Sequence, residues 1–336
     1  MEFECLKCGQ KYSLIAKDFK CNCGGLFKIP EKPLQYQTDL ELGEVKTPLL
    51  QKELGGQKIY YKMDYYHPTG SFKDRGARLM IGKLKDAGID EIVEDSSGNA
   101  GAAVAAYSAA ANITCNIYLP ETTSPGKITQ IESTGAIIHK IPGDREATSR
   151  AIKQAAKNKY YASHIYNPIF FAGVATIAKE LTDDLKKIDK IILPVGNGSL
   201  LLGVWFGLKE LLNKEDLPGL IAVQAEPVFP IWEKFHDEKS KSKSNTYSNN
   251  LAEGIAIKEP ARKNEIIEAI KESNGNVILV KQTDIKNSLN KLWEQGIYIE
   301  PTSAVAPAGA INYFEKNDIS NENIVIILTG TGLKYN

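Results

Sequence analysis

A chain of 336 residues, 43% apolar and 24% charged, carries more apolar material than one small core uses, so two lobes are expected. Its 41 basic residues balance 41 acidic ones, and zero formal net charge gives no electrostatic reason to expect nucleic acid or a membrane surface as partner. No stretch approaches the ~20 apolar residues that span a bilayer, and the start Met1-Glu2-Phe3-Glu4-Cys5 has no basic region followed by an apolar run, so the reading is a cytoplasmic protein.

Four of the five cysteines fall within the first 23 residues. In a large chain of cytosolic character such clustering points to a metal site more than to a disulfide framework. Residues 1 to about 30 read as a small knuckle, with Cys5-Leu6-Lys7-Cys8-Gly9 and Cys21-Asn22-Cys23-Gly24-Gly25 flanking a segment that holds Tyr12, Leu14 and Ile15. Cys5, Cys8, Cys21 and Cys23 can offer four thiolates to one tetrahedral zinc, whose role would be structural because no coordination position stays open. The second pair is spaced by one residue where two is usual, so a ribbon held by packing alone is the alternative.

After Pro30 and Pro33, Thr47-Pro48-Leu49-Leu50 reads as extended and Ile59 to Met63 as a strand. It leads into His67-Pro68-Thr69-Gly70-Ser71-Phe72-Lys73-Asp74-Arg75-Gly76-Ala77, where Pro68 and Gly70 mark a loop. Ala77, Leu79, Met80, Ile81 and Leu84 recur at helical spacing, so Lys73 falls at or just before the first turn of a helix. An ammonium there faces unpaired N–H groups and the positive end of the helix dipole. Both disfavour its charged form, the direction a nucleophilic amine needs. A neutral lysine can form a Schiff base with a carbonyl cofactor, of which pyridoxal phosphate is the common one; taken by itself, a lysine at a helix start is otherwise a solvated surface residue.

Residues 78–160 alternate helix and strand: helix to Ala87, strand Ile92-Val93, helix Ala100 to Ala111, strand Cys115 to Leu119, helix Lys127 to Ser133, strand Ala136 to Ile141, helix Glu146 to Lys157. A second run has helices Ala172 to Leu185, Leu201 to Leu212 and Pro230 to Phe235, with strands at Ile191 to Val195 and Leu220 to Gln224. Strand Val277 to Val280, helix Asp284 to Gln295, strand Tyr298-Ile299, helix Val305 to Phe314 and strand Ile324 to Leu328 follow. Such alternation implies parallel sheets covered on both faces. Cys115 reads as core, and the Ser/Asn/Lys-rich stretch from Lys239 to Asn250 as a solvated loop.

Two strand-to-helix loops carry anion-binding character. Ser96-Ser97-Gly98-Asn99-Ala100-Gly101 opens a small-residue helix, so its N–H groups converge on an anion-sized space; an ordinary turn with an Asn cap is the alternative. Val195-Gly196-Asn197-Gly198-Ser199-Leu200 has the glycines a backbone needs to wrap a phosphate. The nucleotide patterns GxGxxG and GxxxxGK[ST] are absent from the sequence, which disfavours a nucleotide there.

The string PTGSFKDRG around Lys73 resembles the cofactor-lysine segment of pyridoxal-phosphate enzymes of the tryptophan-synthase β type, and in particular that of threonine synthases; serine/threonine dehydratases carry a similar PTGSFK start. Further matches are TPL at 47–49, SSGN at 96–99, PVGNG at 194–198, EPTSA at 300–304 and LTGTGLK at 328–334, which together cover residues 45–334. Many threonine synthases are similar in carrying an N-terminal ribbon. The resemblance implies an α/β fold, two-lobed and three-layered, of pyridoxal-phosphate fold type II. It divides the chain into a zinc-ribbon-like element at 1–30, a large cofactor-binding domain at 31–77 and 161–336, and a small α/β domain at 78–160.

The resemblance also implies roles. Lys73 would be the catalytic, cofactor-bound lysine; Asn99 would donate to the cofactor's 3′ oxygen; Gly196, Asn197, Gly198, Ser199 and Leu200 would hold its phosphate. Thr329 would meet the pyridine nitrogen, and a hydroxyl there leaves the ring a moderate electron sink. Ser96, Ser97 and Asn99 would grip the carboxylate of a small amino-acid substrate. The implied reaction converts O-phosphohomoserine and water to threonine and phosphate, in a homodimer. Three positions depart from the pattern: Phe170 stands where an arginine would help hold the substrate phosphate, Ala100 replaces a frequent Thr, and Thr331 a frequent His. Lys127, Arg145, Arg150 and His164 are candidate replacement cations. Other readings are β-elimination of serine or threonine, β-replacement of the cysteate or cysteine synthase kind, and a non-enzymatic cofactor-fold binding protein, against which the intact lysine argues.

Overall fold

The computed structural model describes residues 2–123, 125–143, 145–238 and 250–334. The loop expected at 239–250 therefore lies, apart from Asn250, outside the described residues. In chain order the elements begin with β1 (Glu2–Glu4), β2 (Lys11–Ser13), β3 (Leu49–Leu54), β4 (Gln57–Met63), α1 (Lys73–Asp86), β5 (Glu91–Glu94), α2 (Asn99–Ala111) and β6 (Thr114–Pro120). Next come α3 (Pro125–Glu132), β7 (Ile137–Ile141), α4 (Arg145–Ala155), β8 (Tyr160–Tyr161), α5 (Pro168–Val174), α6 (Thr176–Asp184), β9 (Lys190–Pro194) and α7 (Ser199–Leu211). The chain closes with β10 (Gly219–Ala225), α8 (Pro230–His236), α9 (Lys263–Glu272), β11 (Asn276–Val280), α10 (Gln282–Glu294), α11 (Pro301–Phe314) and β12 (Ile324–Leu328).

Two compact units result, as the chain length implies, but their borders differ from those drawn on the sequence. The first unit holds the residues up to Val45 together with His67–Thr176, and the second holds Lys46–Tyr66 together with the residues from Ile177 onward. A border at residue 77 would cut α1, which runs unbroken to Asp86 and packs on both α2 and α5. The N-terminal knuckle belongs to the first unit as well, since Phe19 packs among Tyr161 and Tyr166.

The first unit is built on a parallel sheet of order β7-β6-β5-β8. Helix α2 is mostly alanine, and with Ala103, Val104 and Ala105 fully buried it lets α1 approach closely. Helices α1 and α5 come closer still. A Cβ on Gly173 would lie 2.1 Å from the Arg75 carbonyl oxygen, and one on Gly76 would lie 2.5 Å from the Phe170 ring, so neither position has room for a side chain. Asn167 caps α5 by accepting from the Ile169 N–H at 3.0 Å, with Pro168 at the first helical position. The single helix expected over 172–185 is accordingly two, α5 and α6, interrupted at Ala175.

The second unit carries a sheet of order β11-β10-β9-β12-β4-β3, parallel except for the β3–β4 hairpin turned at Gly55-Gly56. Ile221, Val223, Ile326 and Leu328 join Ala304, Val305 and Ala308 of α11 in its core. Leu220 and Ala222, which alternate to the opposite face, are fully buried too, as a parallel sheet covered on both sides requires. The expected strand Tyr298-Ile299 is only a bridge from Ile299 to Thr331, because Pro301 starts a helix directly after it. The TPL segment has a structural task. Lys62, fully buried, pairs with Glu180 at 2.5 Å and donates to the Thr47 carbonyl at 2.7 Å, while the Thr47 hydroxyl donates to Asp64 at 2.9 Å. A buried ammonium survives only when paired and hydrogen-bonded in this way.

Among the described residues no helix is long and apolar enough to cross a membrane. Replacing Gly173 by Ala forces α1 and α5 apart and should destabilise the protein on the order of 3 kcal/mol, read as a fall in the urea midpoint at unchanged slope.

Candidate active site

Lys73 is the first residue of α1, as the apolar spacing predicts. Two bonds set that corner: the Thr69 N–H donates to Asp74 at 2.7 Å, and the Thr69 hydroxyl donates to the other oxygen of the same carboxylate. Asp74 is fully buried in the first turn, where a negative charge is favoured by the helix dipole. The loop before Lys73 is thereby tied to the helix after it. The Lys73 side chain is half-buried, with Nζ 4.8 Å from the Phe72 ring centroid and 5.6 Å from that of Phe170. Both distances fall within cation–π range.

Phe170 is fully buried, and its ring fills the space over Gly76. The position where the sequence resemblance called for an arginine is therefore core. Edge-on to this ring, at 6.1 Å between centroids, stands His164, whose Nδ1 lies 2.6 Å from the Glu94 carboxylate; both side chains are buried. His164 thus has a carboxylate partner of its own. Nothing local in the sequence signals this pair, whose members are 70 residues apart. Arg150 is exposed on α4, and the side chains of Lys127 and Arg145 lie outside the described residues.

The second loop of this unit, Ser96 to Gly98, lies between β5 and α2, with Asn99 the first helical residue. Ser96 is buried and its hydroxyl accepts from the Gly98 N–H at 3.3 Å, while Ser97 is half-buried. The first-turn N–H groups of α2 lack intrahelical acceptors and open toward this loop, a setting suited to a carboxylate. Ala100 is buried against the fold.

In the second unit, Gly196 and Asn197 lie between β9 and α7, Gly198 caps the helix, and Ser199 and Leu200 are its first residues. Gly198 has φ +86°, and a Cβ there would meet Ile266 at 2.4 Å, so both backbone and space demand glycine. The root of the loop is pinned by Gln224, whose amide donates to the Val195 carbonyl at 3.1 Å and accepts from the N–H groups of Ile231 and Trp232.

The same unit locks its two C-terminal motifs together. The Thr329 N–H donates to the Ser303 hydroxyl at 2.8 Å, and the Glu300 N–H donates to the Gly330 carbonyl at 3.1 Å. Thr329 is 2% exposed, yet its hydroxyl has no hydrogen-bond partner among the described residues. Leaving such a group unsatisfied costs about 1–3 kcal/mol, so a ligand acceptor is called for. A pyridine nitrogen is an acceptor of this kind, and the residues present therefore fit pyridoxal phosphate.

The four knuckle cysteines also come together. Their sulfurs all lie within 4.8 Å of one another, with Cys5–Cys23 at 3.6 Å and both Cys8–Cys21 and Cys8–Cys23 at 3.5 Å. Four thiolates around one zinc stand about 3.8 Å apart, given a Zn–S bond of about 2.3 Å. None of them forms a disulfide. The one-residue spacing of Cys21 and Cys23 is thus compatible with a four-sulfur cage.

Two substitutions separate a ligand contact from a structural bond. In the cofactor-free protein, Thr329→Val should leave stability unchanged or raise it by up to about 1 kcal/mol, whereas Ser303→Ala, which strands a buried N–H, should lower it by about 1–2 kcal/mol. Denaturant unfolding measures both.

A sequence profile described as "Pyridoxal-phosphate dependent enzyme" matches residues 35–330. The chain is 32% identical to the threonine synthase of Methanocaldococcus jannaschii, over 98% of its own length and 92% of that protein. Among solved structures, the serine racemase of Dictyostelium discoideum superposes with a TM-score of 0.74 at 29% identity, covering 86% of this chain and 93% of that one. The threonine deaminase isoform 2 of Solanum lycopersicum does so with a TM-score of 0.73 at 26% identity, covering 85% and 79%.

Proposed function

Because the chain belongs to the threonine synthase family of pyridoxal-phosphate dependent enzymes, we propose that it converts O-phosphohomoserine and water to threonine and inorganic phosphate. The observation that carries this reading is the buried hydroxyl of Thr329, which has no hydrogen-bond partner among the described residues and whose backbone is held in place through Ser303. The cofactor, when bound, supplies an electron sink for the negative charge that develops beside the substrate amine. Thr329 would donate to the ring nitrogen without protonating it, which would keep that sink moderate and suit elimination and replacement chemistry. Gly196 to Leu200 offer backbone N–H groups and the start of α7 to the cofactor phosphate.

Lys73 would be the residue that holds the cofactor covalently. Its freed amine takes the α-proton and then serves as acid and base for the later proton movements. Phosphate departs from the γ-carbon with its bonding electrons, and water delivers a hydroxyl to the β-carbon. Ser96, Ser97 and the amides that open α2 would hold the substrate carboxylate, Asn99 would donate to the cofactor's 3′ oxygen, and Lys127 would be a cation for the substrate phosphate. The four cysteines hold one structural zinc.

Phe170 favours a second reading. A buried ring where an arginine would meet the substrate phosphate leaves that phosphate one cation short, and β-elimination from serine or threonine would need only the lysine and the loops.

Holoenzyme given O-phosphohomoserine should release inorganic phosphate and threonine, with little 2-oxo acid from serine or threonine. The reverse pattern would establish the second reading, and neither product would exclude both. Lys73→Ala should lose the visible absorption that bound cofactor gives the wild-type protein and at least about 10³-fold in rate. Protein purified without chelator should contain one zinc per chain and lose it in Cys8→Ser. Metal-free wild-type protein would overturn the zinc assignment.

A further inference from the structure

The knuckle hairpin, β1 and β2, has three residues a side and cannot bury a core of its own. It docks through Phe19, whose ring stands edge-on to Tyr161 at 5.4 Å and tilted against Tyr166 at 5.2 Å, and through Lys20, 4.8 Å above the Tyr166 ring. A second tie runs from Lys17 Nζ to the Asn158 carbonyl at 2.6 Å. Phe19 and Lys20 lead directly into Cys21 of the sulfur cage.

Tyr161 lies in the short edge strand β8, opposite Val93 of β5. Its ring is packed with Val93, Ile152 and Ala156. From there its hydroxyl donates to Asp95 at 2.6 Å, and Asp95 is the residue immediately before Ser96. Burial, reinforced by the carboxylates of Asp95 and Glu94, holds the phenol well above its usual range, so it stays a donor at any working pH.

We propose that Tyr161 is a positioning residue for the Ser96–Asn99 loop, and that the N-terminal knuckle fixes this loop through it. The geometry is one unbroken series within a single unit: Cys21 follows Phe19 and Lys20, Phe19 clamps the Tyr161 ring, and the Tyr161 hydroxyl holds Asp95 at the root of the loop. The consequence for catalysis rests on the reading above, in which this loop grips the substrate carboxylate. A docked knuckle then presets the carboxylate site, and an undocked one leaves the loop to be ordered by the substrate itself.

Three variants of the full-length holoenzyme test this. Tyr161→Phe keeps the ring and removes the bond to Asp95. Phe19→Ala removes the clamp. Tyr160→Phe is the control, since its hydroxyl accepts from Asn167 at 3.0 Å in the same strand without touching the loop's root. Amide hydrogen exchange over residues 95–101 should rise about tenfold in the first two variants and stay at the wild-type rate in the third. KM should rise about five- to tenfold in those two, the worth of one hydrogen bond, with kcat changed less than about twofold. Unaltered exchange in Tyr161→Phe, or an equal rise in Tyr160→Phe, would overturn the positioning role. Faster exchange at unchanged KM would uphold it and instead remove the loop from substrate binding.

Discussion

The double hold of Asp74 on Thr69 is the constraint on which the candidate site around Lys73 depends. It closes the loop from His67 onto the first turn of α1, so the lysine between them leaves the helix at one defined corner. Everything behind that corner is packed without slack. Gly76 and Gly173 allow α1 and α5 to meet backbone to backbone, and the Phe170 ring occupies the volume that Gly76 vacates, beside the lysine amine. A flexible side chain thereby rises from a rigid surface, which restricts where its amine can reach.

The second unit follows a different logic, that of polar groups satisfied or deliberately left open. Lys62, Glu180, Thr47 and Asp64 form a closed set of partners around a buried charge. Ser303 and Glu300 close the backbone of the last loop in the same way. Among the described residues the Thr329 hydroxyl is one of the open ones, with those of Tyr61 and Ser288, because its neighbours restrain the backbone and leave the side chain unsatisfied. That a hydroxyl occupies the position also bears on the chemistry, since it carries no charge and cannot act as a counter-ion.

Phe170 and His164 bear on substrate choice. The ring removes one site for a cation, and the histidine faces a buried glutamate. A phosphorylated substrate would therefore find no arginine at position 170, whereas an unphosphorylated one would need none.

Much of this was legible in the order of residues, wherever the deciding chemistry is local. The start of α1 at Lys73, the glycine-bearing loops that open α2 and α7, the four-cysteine cage and the alternating elements between them are consequences of turn formers, helical spacing and donor type within short stretches of chain. Helix α9, with three isoleucines in a polar stretch, and the break at Ala175 were not, because packing against the rest of the unit decides them. Only the tertiary structure could put Phe170 beside Lys73, leave the Thr329 hydroxyl without a hydrogen-bond partner among the described residues, tie Tyr161 to Asp95 and keep all of α1 in one unit. These depend on which distant segments fill the same volume, and volume is shared among residues that the chain holds far apart.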